Sequence, residues 1–448
     1  MSARSGRRVG IIGLIVVAVG CSLRREGSGT DLASYIESVK AIDVHAHPMI
    51  VVAVGAAPDT DYDALPLDGI PPFPMPAGVR PDNPAYRDAQ HALFGVSGAD
   101  TGTVYAKSLD SARNRVMQQR GVDFPTWALD RAGIDIMLAN RITVGAGLIA
   151  PRFRWVPFAD ALMLPLDSKL EATRTPDTKS LYPLEAKLLT RYLHDLDLKQ
   201  LPRTLAAYQS AVITATLTRQ HTAGAVGIKF EAAYLRPLDF APADSQAAAT
   251  IYARYVGGGT PPRPEYKVLQ DYLFRVICRE AGKVGLTVQI HSLDQFGGFY
   301  SASGAAPSQL ESALSDSTLQ GTTVVIVHGG WPRVQETLAL LGRPNVYTDI
   351  SMMDMIADPS ALSRALRLWL AEWPEKVMFG SDAFDGGPPQ GWEQGAWIAA
   401  RNARRALTDA LSGMVHDGQI TNVRARQIAK MVLRDNAITA YHLTNVSP

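Results

Sequence analysis

The chain has 448 residues, 46% of them hydrophobic and 19% charged, which suits one large globular domain or two ordinary ones and excludes a disordered chain. Its 44 basic and 43 acidic residues leave a formal net charge of +1. There is no large positive field to hold nucleic acid, and no nucleic-acid partner is expected.

The first 21 residues stand apart. Arg4, Arg7 and Arg8 precede an apolar run from Val9 to Gly20 that is too short to span a bilayer and has the anatomy of a secretory leader. The segment Ala18-Val19-Gly20-Cys21 resembles a bacterial lipoprotein cleavage box, with Ala18 where Leu is usual. This predicts a signal peptide over 1–21, a lipid on Cys21 as the membrane contact, and a protein exported and anchored to the bacterial cell envelope. A plain signal peptide or an uncleaved anchor is the alternative. The other cysteine, Cys278, lies in "YLFRVICREAGK" and is expected to be a small buried residue on a helix, so no internal disulfide is available.

Residues 22–40 read as a tether and a short helix, and 41–448 as one large barrel domain. From Ala41 onward, eight short β-rich runs are separated by long helical or loop stretches, the pattern of a parallel α/β architecture. They are "AIDVHAH" (41–47), "IDIMLAN" (134–140), "FRWVPF" (153–158), "AVGIKFEA" (225–232), "LTVQIHS" (286–292), "TTVVIVHG" (322–329), "NVYTDIS" (345–351) and "KVMFGSD" (376–382). Eight parallel strands predict a (β/α)8 TIM barrel with a long insertion after the first strand. The competing doubly wound sheet lacks a Gly-rich dinucleotide turn after that strand. Residues 56–100, rich in Pro, Gly, Asp and Ala, are either a lid over the site or a disordered surface insertion. Residues 184–221 are expected to be helical, and "RARQIAKMVLRDNAITAYHL" is expected to be a helix on the barrel exterior.

On a strand, His45 and His47 share a face, and two neutral imidazoles converging there form a divalent-metal ligand pair. The alternative is two histidines flanking a surface turn. Further polar residues close the other runs: Lys229, His291, His328 and Asp382. In a (β/α)8 barrel those ends form the active-site face, and buried polar groups repeated there call for something that collects them.

This set resembles the metal-dependent amidohydrolase superfamily, more narrowly the branch with aminocarboxymuconate-semialdehyde decarboxylases and glutamine-synthetase-associated amidohydrolases. "VHAHP", "VQIHSLDQFGG", "VVIVHGGWP", "NVYTDIS", "VMFGSDAF" and "MVLRDNAITAYHL" carry the resemblance over nearly the whole mature chain. It implies that His45, His47, His291 and Asp382 are metal ligands and that His328 stands beside the open coordination position. Three nitrogens and one carboxylate suit Zn²⁺ or a similar divalent ion, which acidifies water from a pKa of about 15.7 toward about 7. Asp382 then takes the proton and His328 polarises a carbonyl. One ion is favoured, with Lys229 paired to Glu231 or touching substrate; in some branches a strand-four lysine is carboxylated and bridges two ions, which remains the alternative.

Arg141, Arg152, Arg154 and Arg236 lie near barrel-mouth positions, so a small substrate bearing a carboxylate is the natural expectation, with protein salt bridges as the alternative for each arginine. Trp155, Trp331 and Phe296 either line a pocket or pack. Asp43, Asp349 and Ser351 either support a ligand histidine or are structural. His91, His194, His221, His416 and His442 read as surface or structural groups. The expected activity is hydrolysis of an amide, lactone or ester by activated water. The rivals are a metal-dependent non-oxidative decarboxylase and a non-catalytic metal-binding lipoprotein, and a homo-oligomer is left open.

Overall fold

The computed structural model describes residues 29–52, 55–66, 75–98, 102–174, 177–294, 301–387 and 390–444, with Met1 and Val446 besides. Cys21, the apolar run before it, and Phe296 lie outside the described residues. No helix among the described residues is long and apolar enough to cross a membrane.

After a helix over Gly29–Ser38, all eight apolar runs form strands: β1 Ala41–Ala46, β2 Ile134–Asn140, β3 Phe153–Val156, β4 Gly227–Phe230, β5 Thr287–His291, β6 Val324–Val327, β7 Val346–Asp349 and β8 Val377–Met378. Every named pair of strands is parallel, in the orders β1-β2-β3 and β4-β5-β6-β7-β8. Backbone hydrogen bonds also cross both seams. Val226 N–H donates to Trp155 O at 2.9 Å and Lys229 N–H to Pro157 O at 2.8 Å on one side. On the other, Val44 N–H donates to Phe379 O at 3.1 Å and Asp382 N–H to His45 O at 2.7 Å. The strands therefore run round in chain order, as expected for a barrel.

Burial explains why these runs are strands. β6, Val-Val-Ile-Val, is buried along its whole length, as befits a parallel strand covered on both faces. The runs outlast the strands where the backbone leaves the extended region: His328 and Asp382, just past β6 and β8, have φ of +66° and +54°. Pairing of β1 with β2 shifts register between Asp43 and Ala46, around the position of His45. A bulge of this kind re-aims side chains next to a site.

The carboxyl-terminal stretch does more than cover the exterior. Its first part, Asn422–Lys430, is the expected amphipathic helix, burying Ala425, Ile428 and Ala429. The helix continues through a π-helical segment, Met431–Asp435, to Asn436–Ala440, and its end lies under the barrel. Thr287, the first residue of β5, donates its hydroxyl to Ala440 O, and the buried Tyr441 hydroxyl accepts from Gln289 Nε2 at 2.8 Å. Tyr441 and Leu443 share one apolar cluster with Ile42, Val44, Leu138 and Val325, so this tail closes the amino-terminal end of the barrel.

The insertion after β1 carries a helix over Pro84–Phe94, capped by Asn83. Its acidic stretch is tied down at alternate positions. Asp59 pairs with Arg141 at 2.9 Å, Asp61 with Arg191 at 2.9 Å, and Asp63 with His47 at 3.0 Å. Of the two alternatives for this segment, its described part lines the site.

Candidate metal centre

His45, His47 and Asp382 are all buried, and their ligand atoms lie within 4.8 Å of one another. Asp382 Oδ1 is 3.1 Å from His45 Nε2 and 3.4 Å from His47 Nε2, so both imidazoles present the same type of nitrogen to one point. The opposite edges of the rings are held. His45 Nδ1 is 3.3 Å from Gln289 Oε1, and His47 Nδ1 is 3.0 Å from Asp63 Oδ2. Each of the two histidines thus has a side-chain oxygen within 3.3 Å of its far edge, the placement that orients imidazoles in metal sites. Two nitrogens and a carboxylate, buried and convergent, fit a divalent ion.

Burial and the Lys229 ammonium hold the His45 pKa well below its ordinary value, which keeps the imidazole neutral with its lone pair available. Burial would lower His47 too, but Asp63 and Asp382 outweigh it and raise the group to about 10. Positive charge is therefore strongly stabilised between those carboxylates. Burial alone would raise Asp382, yet the surrounding imidazoles of His328, His45 and His47 keep it well below the carboxylate range.

His291, expected as a fourth ligand, stands outside this set of three. Its Nδ1 is 3.1 Å from His328 Nε2, and its Nε2 is buried without a hydrogen-bond partner among the described residues. His328 Nδ1 lies 2.9 Å from the Ser351 hydroxyl and 3.8 Å from Asp382 Oδ2, and burial pushes its pKa down to about 4. Asp349 positions this histidine, accepting its backbone N–H at 3.0 Å. Asp43 does the same for the opposite seam, accepting backbone N–H groups from His45 at 3.2 Å and Ser381 at 2.9 Å rather than touching an imidazole.

Lys229 sits between the two histidine groups. Its Nζ is 3.3 Å from His45 Nε2 and 3.6 Å from Glu231 Oε1, the expected ion pair. Sequence reasoning missed Asp63, Asp160 and Glu185. Asp160 accepts the Glu231 backbone N–H at 2.7 Å, and burial raises Asp160 to about 7 and Glu231 to about 8. The alternation of Asp59, Asp61 and Asp63 was the available signal, since three carboxylates two residues apart in a Pro-rich loop ask for partners.

The four arginines do not gather at a mouth to take a substrate carboxylate. Arg141 is 1% exposed, with both terminal nitrogens on Asp59. Arg152 pairs with Asp130 at 2.8 Å, and Arg236 with Asp271 at 2.6 Å. Arg154 reaches Thr444 O at 3.4 Å, on the tail that closes the other end. Each is spent on protein groups, because arginine forks at loop starts find nearby acidic or carbonyl oxygens first. Trp155 packs half-buried with its indole N–H on Arg141 O, Cys278 is buried on the helix Arg263–Lys283, and the five remaining histidines are exposed.

A parallel α/β barrel with histidines and an aspartate converging at the carboxyl ends of its strands is the architecture of a metal-dependent barrel protein. A model of the family described as amidohydrolase matches residues 187–443, more than half of the chain, and the chain belongs to that family. Among solved structures, a Lactobacillus casei protein described as a metal-dependent hydrolase is similar at 17% identity and a TM-score of 0.54, covering 92% of this chain and 97% of that one. The uronate isomerase of Thermotoga maritima is similar at 13% identity and 0.57, covering 92% and 97%. The glucuronate isomerase of Caulobacter crescentus is similar at 14% and 0.55, covering 94% of each. At these identities the likeness is one of fold. No curated protein sequence matches the chain.

Proposed function

We propose that the protein is a metal-dependent hydrolase that opens an amide, lactone or ester bond next to a carbonyl. The observation that carries this reading is the convergence of His45 Nε2, His47 Nε2 and Asp382 Oδ1 at one buried point, with a neutral His328 alongside. A divalent ion such as Zn²⁺ at that point supplies Lewis acidity, polarising a carbonyl and acidifying water. Asp382 is the proton acceptor, since its neighbours keep it ionised. His328 donates its Nδ1–H to the Ser351 carbonyl and hydroxyl, so the neutral ring presents Nε2 with its lone pair to the site, as a proton acceptor or a further ligand nitrogen beside the metal position. Lys229 and Glu231 border the same space.

A second reading of the metal content rests on a separate observation. His291 Nδ1 and His328 Nε2 face each other at 3.1 Å, with Lys229 Nζ close to His45. On this alternative His291 and His328 would hold a second ion, and Lys229, if carboxylated, would be a further ligand. Mass spectrometry of intact protein separates the two readings, because carboxylation of Lys229 adds the mass of carbon dioxide.

Incubation of metal-loaded protein with amides, lactones, esters and aromatic carboxylates tests the reaction. Acid release dependent on Asp382 supports hydrolysis, and carbon dioxide release would replace it with decarboxylation. Loss of all turnover across the panel would favour a metal-binding lipoprotein. Export and lipidation at Cys21 belong to the same proposal, and labelling with a radioactive fatty acid, abolished by Cys21→Ala, checks them.

A further inference from the structure

The carboxylates around His47 outnumber the cations that meet them. His47, Asp63 and Glu231 form a second convergent group, their ligand atoms within 4.8 Å of one another, sharing His47 with the metal set. Asp160 and Glu185 adjoin it. The four acidic residues come from four segments: the insertion after β1, the turn after β3, the helix Tyr182–Asp195 and the end of β4. Asp160, Glu185 and Glu231 are 0%, 1% and 4% exposed.

Asp160 Oδ1, Glu231 Oε2 and both oxygens of Glu185 have no hydrogen-bond partner among the described residues. The cations in contact with the cluster are Lys229, 3.6 Å from Glu231, and His47 against Asp63. Nearby arginines are already committed, Arg141 to Asp59 and Arg191 to Asp61. Buried polar atoms are satisfied in nine cases of ten or more, and several unsatisfied carboxyl oxygens in one place mark where something else supplies the donors. A carboxylate accepts from neutral and charged N–H donors alike, and among these a cationic donor matches a group of four acidic side chains best in charge.

We infer that this cluster is a subsite for a positively charged group of the substrate, an ammonium or amidinium carried on a short spacer from the reacting carbonyl. Sharing of His47 sets the spacer, since the subsite begins on the far edge of the imidazole whose near edge faces the metal position. The inference rests on the hydrolase reading above and replaces the carboxylate-bearing substrate expected from the arginines. Asp63 and Glu231 hold the charged end, Lys229 keeps Glu231 oriented, and Asp160 and Glu185 stand behind them as buried acids whose ionisation an entering cation favours.

Three hydroxamates that share one metal-binding end and differ in the tail test it: β-alanine hydroxamate with an ammonium, butyrohydroxamate with a methyl, and succinic monohydroxamate with a carboxylate. Calorimetric titration of the metal-loaded protein is expected to give the ammonium tail at least about a tenfold advantage over the methyl, the size of one charge-assisted hydrogen bond. Glu231→Gln and Glu185→Gln, each checked for an unchanged far-ultraviolet circular dichroism spectrum, are expected to shrink that advantage. Equal affinity for all three tails, or preference for the carboxylate, overturns the subsite and leaves the metal reading intact. Failure of all three to bind overturns the metal reading and the subsite with it. A divalent ion retained by a His45→Ala, Asp382→Asn protein and lost on further Glu231→Gln change would assign the carboxylates to a metal instead.

Discussion

His47 Nδ1 lies 3.0 Å from Asp63 Oδ2, across the join between the first barrel strand and the insertion that follows it. A carboxylate behind a ligand imidazole fixes the ring and raises its basicity, and removing such a partner weakens metal binding about 10- to 100-fold. Asp63→Asn is therefore expected to lower metal affinity by that range in competition with a chromophoric chelator. An unchanged affinity would show that Asp63 leaves the histidine indifferent.

Metal should stabilise the folded chain through the three convergent groups. A ligand present at a hundred times its dissociation constant adds about 2.7 kcal/mol to unfolding. Thermal unfolding of the parent protein is expected to shift upward on adding Zn²⁺ or Mn²⁺ after chelation, while His45→Ala with His47→Ala should abolish the shift. A shift of equal size in both proteins would remove these histidines from the site.

Arg141 and Asp59 test the insertion's anchoring. Their side chains are 1% and 2% exposed, with two charge-assisted contacts at 2.9 and 3.0 Å. Replacing one partner leaves the other charge buried and alone, which costs about 3–5 kcal/mol. Arg141→Met should lose that much in urea denaturation, and pairing it with Asp59→Leu should recover part of the loss. A single-variant loss below about 1 kcal/mol would mean that water reaches Asp59.

Gln289 is a hub on β5. Its Oε1 accepts from Asn140 Nδ2 at 2.7 Å and faces His45 Nδ1, while its Nε2 donates to Val44 O at 2.7 Å and to Tyr441. Gln289→Leu leaves several buried polar groups unpaired, each costing about 1–3 kcal/mol. Both a drop in stability and weaker metal binding are expected. A stability loss with unchanged metal affinity would confine Gln289 to a structural role.

Much of this molecule was legible in the sequence because its strands are doubly buried. Uninterrupted β-branched runs such as Val324–Val327, ended by His or Asp, betray both the strand and its functional end. His45, His47 and Asp382 were readable for that reason. Asp160 and Glu185 were not, since a turn and a helix deliver them and nothing local marks a carboxylate that will be buried by distant chain, while Asp63 was marked only by its alternation with Asp59 and Asp61. The arginines misled in the opposite sense: composition reveals a guanidinium but not the carboxylate that Asp59 brings from 82 positions away. Amphipathic periodicity found the carboxyl-terminal helix, yet it carries no information on whether that helix's far end runs beside the strands or beneath them.

With Tyr441 lodged under β4 and β5 and its hydroxyl on Gln289, the amino-terminal floor of the barrel is filled among the described residues. On the hydrolase reading proposed above, both fragments of a cleaved molecule would then leave from the strands' carboxyl ends, where the substrate enters. Turnover in such a barrel would slow as spent material accumulates, and inhibition by product, competitive with fresh substrate, would be the kinetic trace of that stoppered floor.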